Sequence, residues 1–250
     1  MTTQQIKERL DQALVSRGMV VSRARARDLV LRGEVAVDGI VAAKPAVRVS
    51  PTQRLSLAPG AGAYVSRGAV KLRAALDHFG LDPAGRIGLD IGASTGGFTE
   101  VLLARGAAKV YAVDNGVGQL HPSLAADTRV ISLEDTDARG LTRSSIPEPV
   151  GALVADVSFI SLTKALPAAL RLAAPGCWLT CLIKPQFETV PVRIPKDGIV
   201  TDAAIHAETV ASVETWLRGQ GGWHILGTIS SPIKGGEGKT EFLIGAIYDA

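Results

Sequence analysis

Two lysines and two carboxylates stand next to predicted strands in otherwise apolar sequence: Lys71, Asp156, Lys184 and Glu241. Asp156 and Lys184 each end a predicted strand, so both should face the crevice at the carboxyl edge of the sheet. Each charge would be costly to bury alone, but alternating lysines and acids compensate one another. Such a cluster can position a reacting group or can be a purely structural ion-pair network, and spacing does not decide between the two.

A glycine-rich turn follows the first strand predicted in the larger part of the chain. Glycine lets the backbone approach a ligand closely, and the helix that begins here offers unpaired N–H groups. The dinucleotide fingerprint needs glycine where Ser94 stands, which argues against a dehydrogenase. We expect a nucleotide-like ligand at Asp90, Gly92, Ala93, Ser94, Thr95, Gly96, Gly97, Phe98 and Thr99.

Two carboxylates favour S-adenosylmethionine as that ligand. Asp114 ends the second predicted strand, where it can accept hydrogen bonds from both hydroxyls of an adenosine ribose. Asp90 can accept hydrogen bonds from the ammonium group of the methionine part, and its charge would repel a pyrophosphate. Residues 235–240 imitate a phosphate-binding loop, but Ile233 stands where that motif requires glycine, so we expect no phosphate there.

The elements that must position these residues alternate between strands and helices from Arg86 onward. Alternation of this kind is typical of an α/β fold whose parallel sheet has helices on both faces. We predict a seven-stranded Rossmann-like sheet with strands at 87–91, 110–113, 130–131, 152–155, 178–183, 223–229 and 241–248.

The first 65 residues differ from the rest in charge and in pattern. They contain ten Lys/Arg and five Asp/Glu, a net charge of 10 − 5 = +5, whereas the remainder contains 17 and 19, a net charge of −2. Two short helices are predicted before a small sheet, with Ser22 as N-cap of the second helix and its arginines largely outside. Basic surface on a small α+β module favours a polyanionic partner, with a merely solvated charged face as the alternative.

Several classes of protein are disfavoured. The charged N-terminal sequence is unlike a secretory signal, and Pro167 and Gly176 interrupt the most apolar stretch, so we expect no membrane partner. Cys177 and Cys181 lie in a predicted buried strand, which is typical of free thiols in the cytoplasm. The four histidines show no ligand spacing, and we expect no metal site.

Short motifs in the first part of the chain are Arg9-Leu10-Asp11, Ser22-Arg23, Ala26 and Gly-x-Val-x-Val-Asp-Gly at 33–39. They resemble the S4 RNA-binding domain over roughly residues 5–65. The resemblance implies a structured RNA as partner, with no DNA expected, and arginines that bind mainly phosphates. We expect this domain at residues 1–62 and a second domain at 63–250. The candidate RNA contacts are Arg9, Arg23, Arg25, Arg27, Arg32, Lys44 and Arg67.

Longer motifs run through the rest of the chain, at residues 65–72, 90–99, 155–162, 184–188 and 231–235. They resemble the TlyA family of ribosomal RNA 2′-O-methyltransferases, formerly called hemolysin A, whose catalytic domain is FtsJ-like. The resemblance implies a methyltransferase sheet and a catalytic set of Lys71, Asp156, Lys184 and Glu241, with Glu237 as a competitor for the last role. It implies S-adenosylmethionine as cofactor, bound by the glycine-rich turn together with Asp114, Asp137 and Asp156.

Two segments depart from the family pattern. Val117 replaces a common aromatic residue, Asp135 a common arginine and Asp137 a common asparagine. An aspartate at position 137 can still accept a hydrogen bond from the adenine amino group, so cofactor binding stays the expectation.

The resemblance implies methyl transfer to the ribose 2′-hydroxyl of a cytidine in ribosomal RNA, with Lys184 as the base or the group that orients the hydroxyl. Because the sequence ends soon after the last predicted strand, the large ribosomal subunit is the favoured target. The nucleotide and the oligomeric state stay open. The alternatives are a non-catalytic RNA-binding assembly factor, another RNA or a protein as the target, and, remotely, a membrane-active hemolysin.

Overall fold

This computed structural model describes residues 7–58, 61–62, 64–195 and 198–249. The chain divides into two units, Met1–Ser66 and Arg67–Ala250. The domain boundary expected after residue 62 stays a prediction, and the two units divide a few residues later.

Two short helices cover the core of the first unit. Helix α1 (Leu10–Ser16) and helix α2 (Arg23–Leu31) bury Leu10, Leu14, Leu29 and Val30 against one another. Ser22 caps α2, as the sequence predicts, because its hydroxyl accepts a hydrogen bond from the Arg25 N–H at 3.2 Å.

Two small sheets complete this unit. Strand β1 (Glu8–Arg9) pairs with β4 (Arg48–Val49), which the sequence did not predict. Strand β2 (Val35–Val37) lies between β3 (Ile40–Val41) and β5 (Leu55–Leu57) in an antiparallel sheet. The predicted Asp38-Gly39 turn joins β2 to β3, with both residues at positive φ, as a tight hairpin requires.

A seven-stranded sheet forms the second unit, in the order β11-β12-β10-β9-β6-β7-β8. The predicted strand count is confirmed, but β12 is antiparallel to both of its neighbours. The antiparallel pairing of β11 with β12 needs no crossover helix, and the loop of residues 231–241 joins the two strands. The strands are β6 (Ile87–Ile91), β7 (Lys109–Val113), β8 (Val130–Leu133), β9 (Val150–Ala155), β10 (Ala173–Ile183), β11 (Trp223–Ser230) and β12 (Phe242–Tyr248).

Helices of very different length connect these strands. The long ones are α3 (Gly68–Phe79), α4 (Gly97–Ala104) and α9 (Ala203–Arg218), whose Val213 and Leu217 join the core around Leu89 and Leu153. Four helices have only four residues, shorter than the connections that the alternating pattern predicts, and Pro167 begins the second of a consecutive pair. They are α5 (Pro122–Ala125), α6 (Leu162–Ala165), α7 (Pro167–Leu170) and α8 (Pro185–Glu188).

Candidate active site

Strand register brings three of the four predicted catalytic residues to one edge of the sheet. Phe242 pairs with Ile183, so Lys184 and Glu241 extend neighbouring strands at the same end. Asp156 follows β9, whose last residue pairs with β10. The sequence predicts Glu241 as the first residue of the last strand, but β12 begins one residue later, at Phe242. The Glu241 carbonyl oxygen accepts a hydrogen bond from the Ser231 N–H and closes the loop before β12.

The fourth residue, Lys71, reaches this edge from α3 and completes a chain of alternating charges. Its Nζ lies 2.5 Å from Glu241 Oε2 and 3.8 Å from Asp156 Oδ2. The other oxygen, Asp156 Oδ1, lies 2.5 Å from Lys184 Nζ. Lys71, Lys184 and Glu241 are at most 8% exposed, so each charge depends on the others for compensation. The structure thus brings all four predicted residues together.

A cavity of about 630 Å³ lies beside this cluster, with Asp156 in its wall. The glycine-rich turn forms another part of the wall through Gly92 and Ser94. A Cβ on Gly92 would lie 2.7 Å from the Asp156 carbonyl oxygen, so only glycine lets the turn approach the end of β9 so closely. The close approach of Gly92 to Asp156 therefore places the glycine-rich turn next to the charged cluster.

Asp114 lines the cavity at the end of β7 and organises the loops around it. Its two carboxylate oxygens accept hydrogen bonds from the Ser94 N–H at 2.8 Å and from the Gly116 N–H at 2.7 Å. Gln119 extends this arrangement, since its side-chain oxygen accepts a hydrogen bond from the Ser94 hydroxyl at 3.1 Å. The carboxylate therefore sits in the wall with its position fixed from two sides.

Asp137 also lines the cavity, and Arg139 holds its carboxylate. The Arg139 Nε donates to both Asp137 oxygens, at 3.0 and 2.9 Å, and the Arg139 N–H donates at 2.9 Å. These hydrogen bonds lower the pKa of Asp137 to about 2. An ionised carboxylate, paired with Arg139, therefore lines the cavity at neutral pH.

Other residues predicted to bind a cofactor do not line this cavity. Asp90 is fully buried, and its Oδ2 accepts a hydrogen bond from Thr99 Oγ1 at 2.7 Å. Burial raises the pKa of Asp90 to about 7, although the hydrogen bonds from Thr99 oppose that shift. Asp90 is thus buried away from the cavity surface. Ala93, Gly96, Gly97, Phe98 and Thr99 are also buried, whereas Thr95 is exposed outside the cavity wall.

The wall residues that the sequence-based prediction did not name include Ser158, Phe159 and Gln119. Ser158 accepts a hydrogen bond from Lys184 Nζ at 2.9 Å, and its position two residues after Asp156 was the available signal. Phe159 is 91% exposed, with φ at +65° and its ring 5.2 Å from that of Phe187, a conformation that sequence does not reveal. Gln119 lies in a segment noted only for Val117. The side chain of Glu237, the competitor for the role of Glu241, lies outside the part of the chain that the structure describes.

Comparison with known proteins places the chain in a family. Residues 64–248 match the family model of the FtsJ-like methyltransferases, and residues 8–55 match that of the S4 domain. A protein of Mycobacterium tuberculosis named 16S/23S rRNA (cytidine-2′-O)-methyltransferase TlyA is 46% identical over 239 residues, which are 95% of this chain and 89% of that protein. The chain belongs to the TlyA family of FtsJ-like methyltransferases.

Solved structures extend this result for the TlyA-family chain. The structure of a candidate hemolysin from Streptococcus thermophilus matches with a TM-score of 0.77 and 37% identity, covering 97% of this chain and 89% of that one. A candidate S-adenosylmethionine-dependent methyltransferase from Listeria monocytogenes has the same fold, with a TM-score of 0.55 and 14% identity, covering 73% and 100%. The helices in the described part of the chain include none with the length and hydropathy of a membrane-spanning segment.

The predicted RNA contacts of this TlyA-family chain fall into three groups. Arg9 and Arg23 bind Asp11, and Arg25 binds Asp28, so these three are partly occupied by ion pairs. The expectation that Arg32 lies outside is wrong, because its side chain is 11% exposed and binds Asp28 and the Tyr64 carbonyl oxygen. The remaining candidates are exposed or half-buried: Arg27, Lys44 and Arg67.

Proposed function

We propose that this chain transfers the methyl group of S-adenosylmethionine to the ribose 2′-hydroxyl of a cytidine in ribosomal RNA. The observation that carries the proposal is the buried chain of Glu241, Lys71, Asp156 and Lys184 beside a cavity whose wall contains Asp156. The match to the FtsJ-like family supports the reaction class. The printed name of the Mycobacterium tuberculosis relative supports the substrate.

The chemistry of the cavity wall fits S-adenosylmethionine. Asp114, Asp137 and Asp156 are acceptors suited to hydroxyl, amino and cationic groups. Ile91 and Val113 supply apolar surface for a base. We assign the ribose hydroxyls to Asp114 and the adenine amino group to Asp137. When bound, the cofactor supplies a methyl group on a sulfonium centre that is already a good leaving group.

Lys184 is the residue to which we assign the ribose 2′-hydroxyl. Asp156 and Ser158 fix its Nζ, so Lys184 can orient the hydroxyl, or accept its proton once it has released its own proton to solvent. Lys71 bridges Glu241 and the second oxygen of Asp156, which keeps Asp156 directed at Lys184. Much of the rate would come from this alignment of two bound reactants.

Methyl transfer to purified ribosomal subunits by the full-length chain tests the proposal. We expect Lys184→Ala to slow transfer by about 10²- to 10⁴-fold, the range for loss of a general acid or base. Lys164→Ala is the matched control, because Lys164 is an exposed lysine on α6, outside the cluster, and its rate should stay close to wild type.

Mapping of 2′-O-methylated nucleotides in both subunit RNAs then identifies the target. Label on a base or on protein would contradict ribose methylation. A wild-type chain that binds the subunits without transferring methyl groups, and that does not differ from Lys184→Ala, would be an assembly factor and not an enzyme.

A further inference from the structure

The loop between β11 and β12 is held closely against the charged cluster. The Ser231 N–H donates to the Glu241 carbonyl oxygen at 2.9 Å and closes the loop at its ends. Inside it, the Gly235 N–H donates to the Lys239 carbonyl oxygen, also at 2.9 Å. These two hydrogen bonds fix the position of Gly235, which is buried although the loop is rich in glycine.

Gly235 packs directly on the Glu241 side chain. A Cβ on Gly235 would lie 2.7 Å from Glu241 Cδ and 3.3 Å from Cγ, distances at which one group must move. The backbone at Gly235 has φ −67° and ψ −172°, a conformation open to any residue. Space, and not backbone freedom, therefore requires glycine at this position.

The neighbouring Gly236 provides the contrast. A Cβ on Gly236 would meet no atom within 4 Å, and its φ lies outside the left-handed range. Alanine should thus fit at position 236 without strain, in the same loop and one residue away.

We propose that Gly235 is a positioning residue that holds the Glu241 carboxylate on Lys71 by leaving room for it. A side chain at position 235 pushes the carboxylate away from Lys71 Nζ. Lys71 then keeps only Asp156, which lies 3.8 Å away and already binds Lys184. Competition for Asp156 would disturb the position of Lys184. The consequence for methyl transfer rests on the proposed function, whereas the steric coupling of Gly235 to Glu241 does not.

A mutant cycle on the full-length chain tests this role. We expect Gly235→Ala to lower kcat for methyl transfer by about 10- to 100-fold, as for displacement of a positioning group by about 1 Å, with the KM for the cofactor little changed. Gly236→Ala should match wild type. Adding Gly235→Ala to Glu241→Ala, where the space is vacated, should change neither kcat nor the thermal midpoint further.

Each result decides the inference. If Gly235→Ala has the same kcat as Gly236→Ala, Gly235 does not act through Glu241. The same conclusion holds if Gly235→Ala lowers kcat by the same factor in the Glu241→Ala variant as in wild type. If Gly235→Ala alone fails to fold, recovery of the fold in the double variant supports the inference and failure of both overturns it. Glu241→Asp replaces Glu241→Ala in the cycle should the latter lose the fold. An inactive wild type would refute the proposed function, while the thermal midpoints would still decide the coupling.

Discussion

A buried carboxylate in the first unit shows how one residue can fix two arginines. Arg9 donates to Asp11 through Nε at 2.9 Å and through a terminal nitrogen at 3.0 Å, and Arg23 donates at 3.2 Å. The Asp11 side chain is inaccessible to solvent, whereas both arginines remain partly exposed. The hydrogen bonds from Arg9 lower the pKa of Asp11 from its ordinary value of 3.8 to about 2, against the opposing effect of burial.

Replacement of this carboxylate should destabilise the first unit. We expect Asp11→Asn to lower the free energy of unfolding by about 2 kcal/mol, because charge-assisted hydrogen bonds are lost in a buried site. Amide hydrogen exchange over α1 and α2 in the full-length chain measures the effect. Asp77→Asn, which removes the exposed partner of Arg105, is the control and should change little.

The contribution of Asp11 to the free energy of unfolding should depend on pH. Because the folded-state pKa of Asp11 lies below its unfolded value, its contribution is complete above about pH 4 and is lost as the pH falls towards 2. The difference in urea midpoint between wild type and Asp11→Asn, followed by far-UV circular dichroism, should therefore shrink from pH 6 to pH 3. A difference that stays constant or grows on acidification would refute the assignment.

At the scale of elements, one side chain joins the segments that follow two neighbouring strands. Glu188 ends α8, the helix that begins immediately after Lys184. Its carboxylate accepts hydrogen bonds from the Ser161 hydroxyl at 2.6 Å and from the Leu162 N–H at 2.7 Å, at the start of α6. Burial raises the pKa of Glu188, while the hydrogen bonds from Leu162 and Ser161 oppose that shift. The Glu188 side chain joins α8 to α6 through these hydrogen bonds.

Loss of those hydrogen bonds should loosen the segment after Lys184. We expect Glu188→Ala to lower kcat by about tenfold, because α8 is released from α6 and the alignment of Lys184 suffers. Glu188→Gln should retain most activity, since an amide can accept from the Leu162 N–H without a charge. Gln186→Ala in the same helix is the control, and steady-state kinetics compare the three variants. Equal loss in Glu188→Ala and Gln186→Ala would exclude a linking role.

Element length explains how much of this structure could be predicted from the sequence. Long apolar strands carry their own signal, and Asp156 and Lys184 directly follow two of them, so the meeting of these two residues at one edge was predictable. Lys71 lies on α3 and Glu241 precedes its strand, so their catalytic assignment depended on the family resemblance. A two-residue pairing such as β1 with β4 and a four-residue helix such as α6 carry no periodicity, because they form only in the folded context. Asp90 lay in the right motif, but Thr99 on α4 decides where its carboxylate points.

Across the whole molecule, net positive charge is concentrated in the first 65 residues. Ion pairs within the protein determine which of these basic side chains can bind another molecule. Those residues carry a net charge of +5, against −2 in the remainder. Arg32 is enclosed by Asp28, Glu34 and the Tyr64 carbonyl oxygen. Arg27, on the same helix, is exposed and has no ion pair among the described residues. Formal charge alone therefore overstates the basic surface offered to RNA.

Because Arg27 is exposed and Arg32 is enclosed by ion pairs, we expect replacement of Arg27 to affect RNA binding and replacement of Arg32 to affect stability. If RNA phosphates bind this surface, Arg27→Ala should weaken binding to ribosomal RNA and reduce the slope of log affinity against log salt by about one, with the thermal midpoint unchanged. Arg32→Ala should instead destabilise the first unit by about 1–3 kcal/mol, because Asp28 and Glu34 lose their shared partner. Filter binding between 50 and 200 mM salt, together with hydrogen exchange over α2, separates the two effects. A salt slope that Arg27→Ala leaves unchanged would exclude a contact between Arg27 and an RNA phosphate, since such a contact releases a counterion.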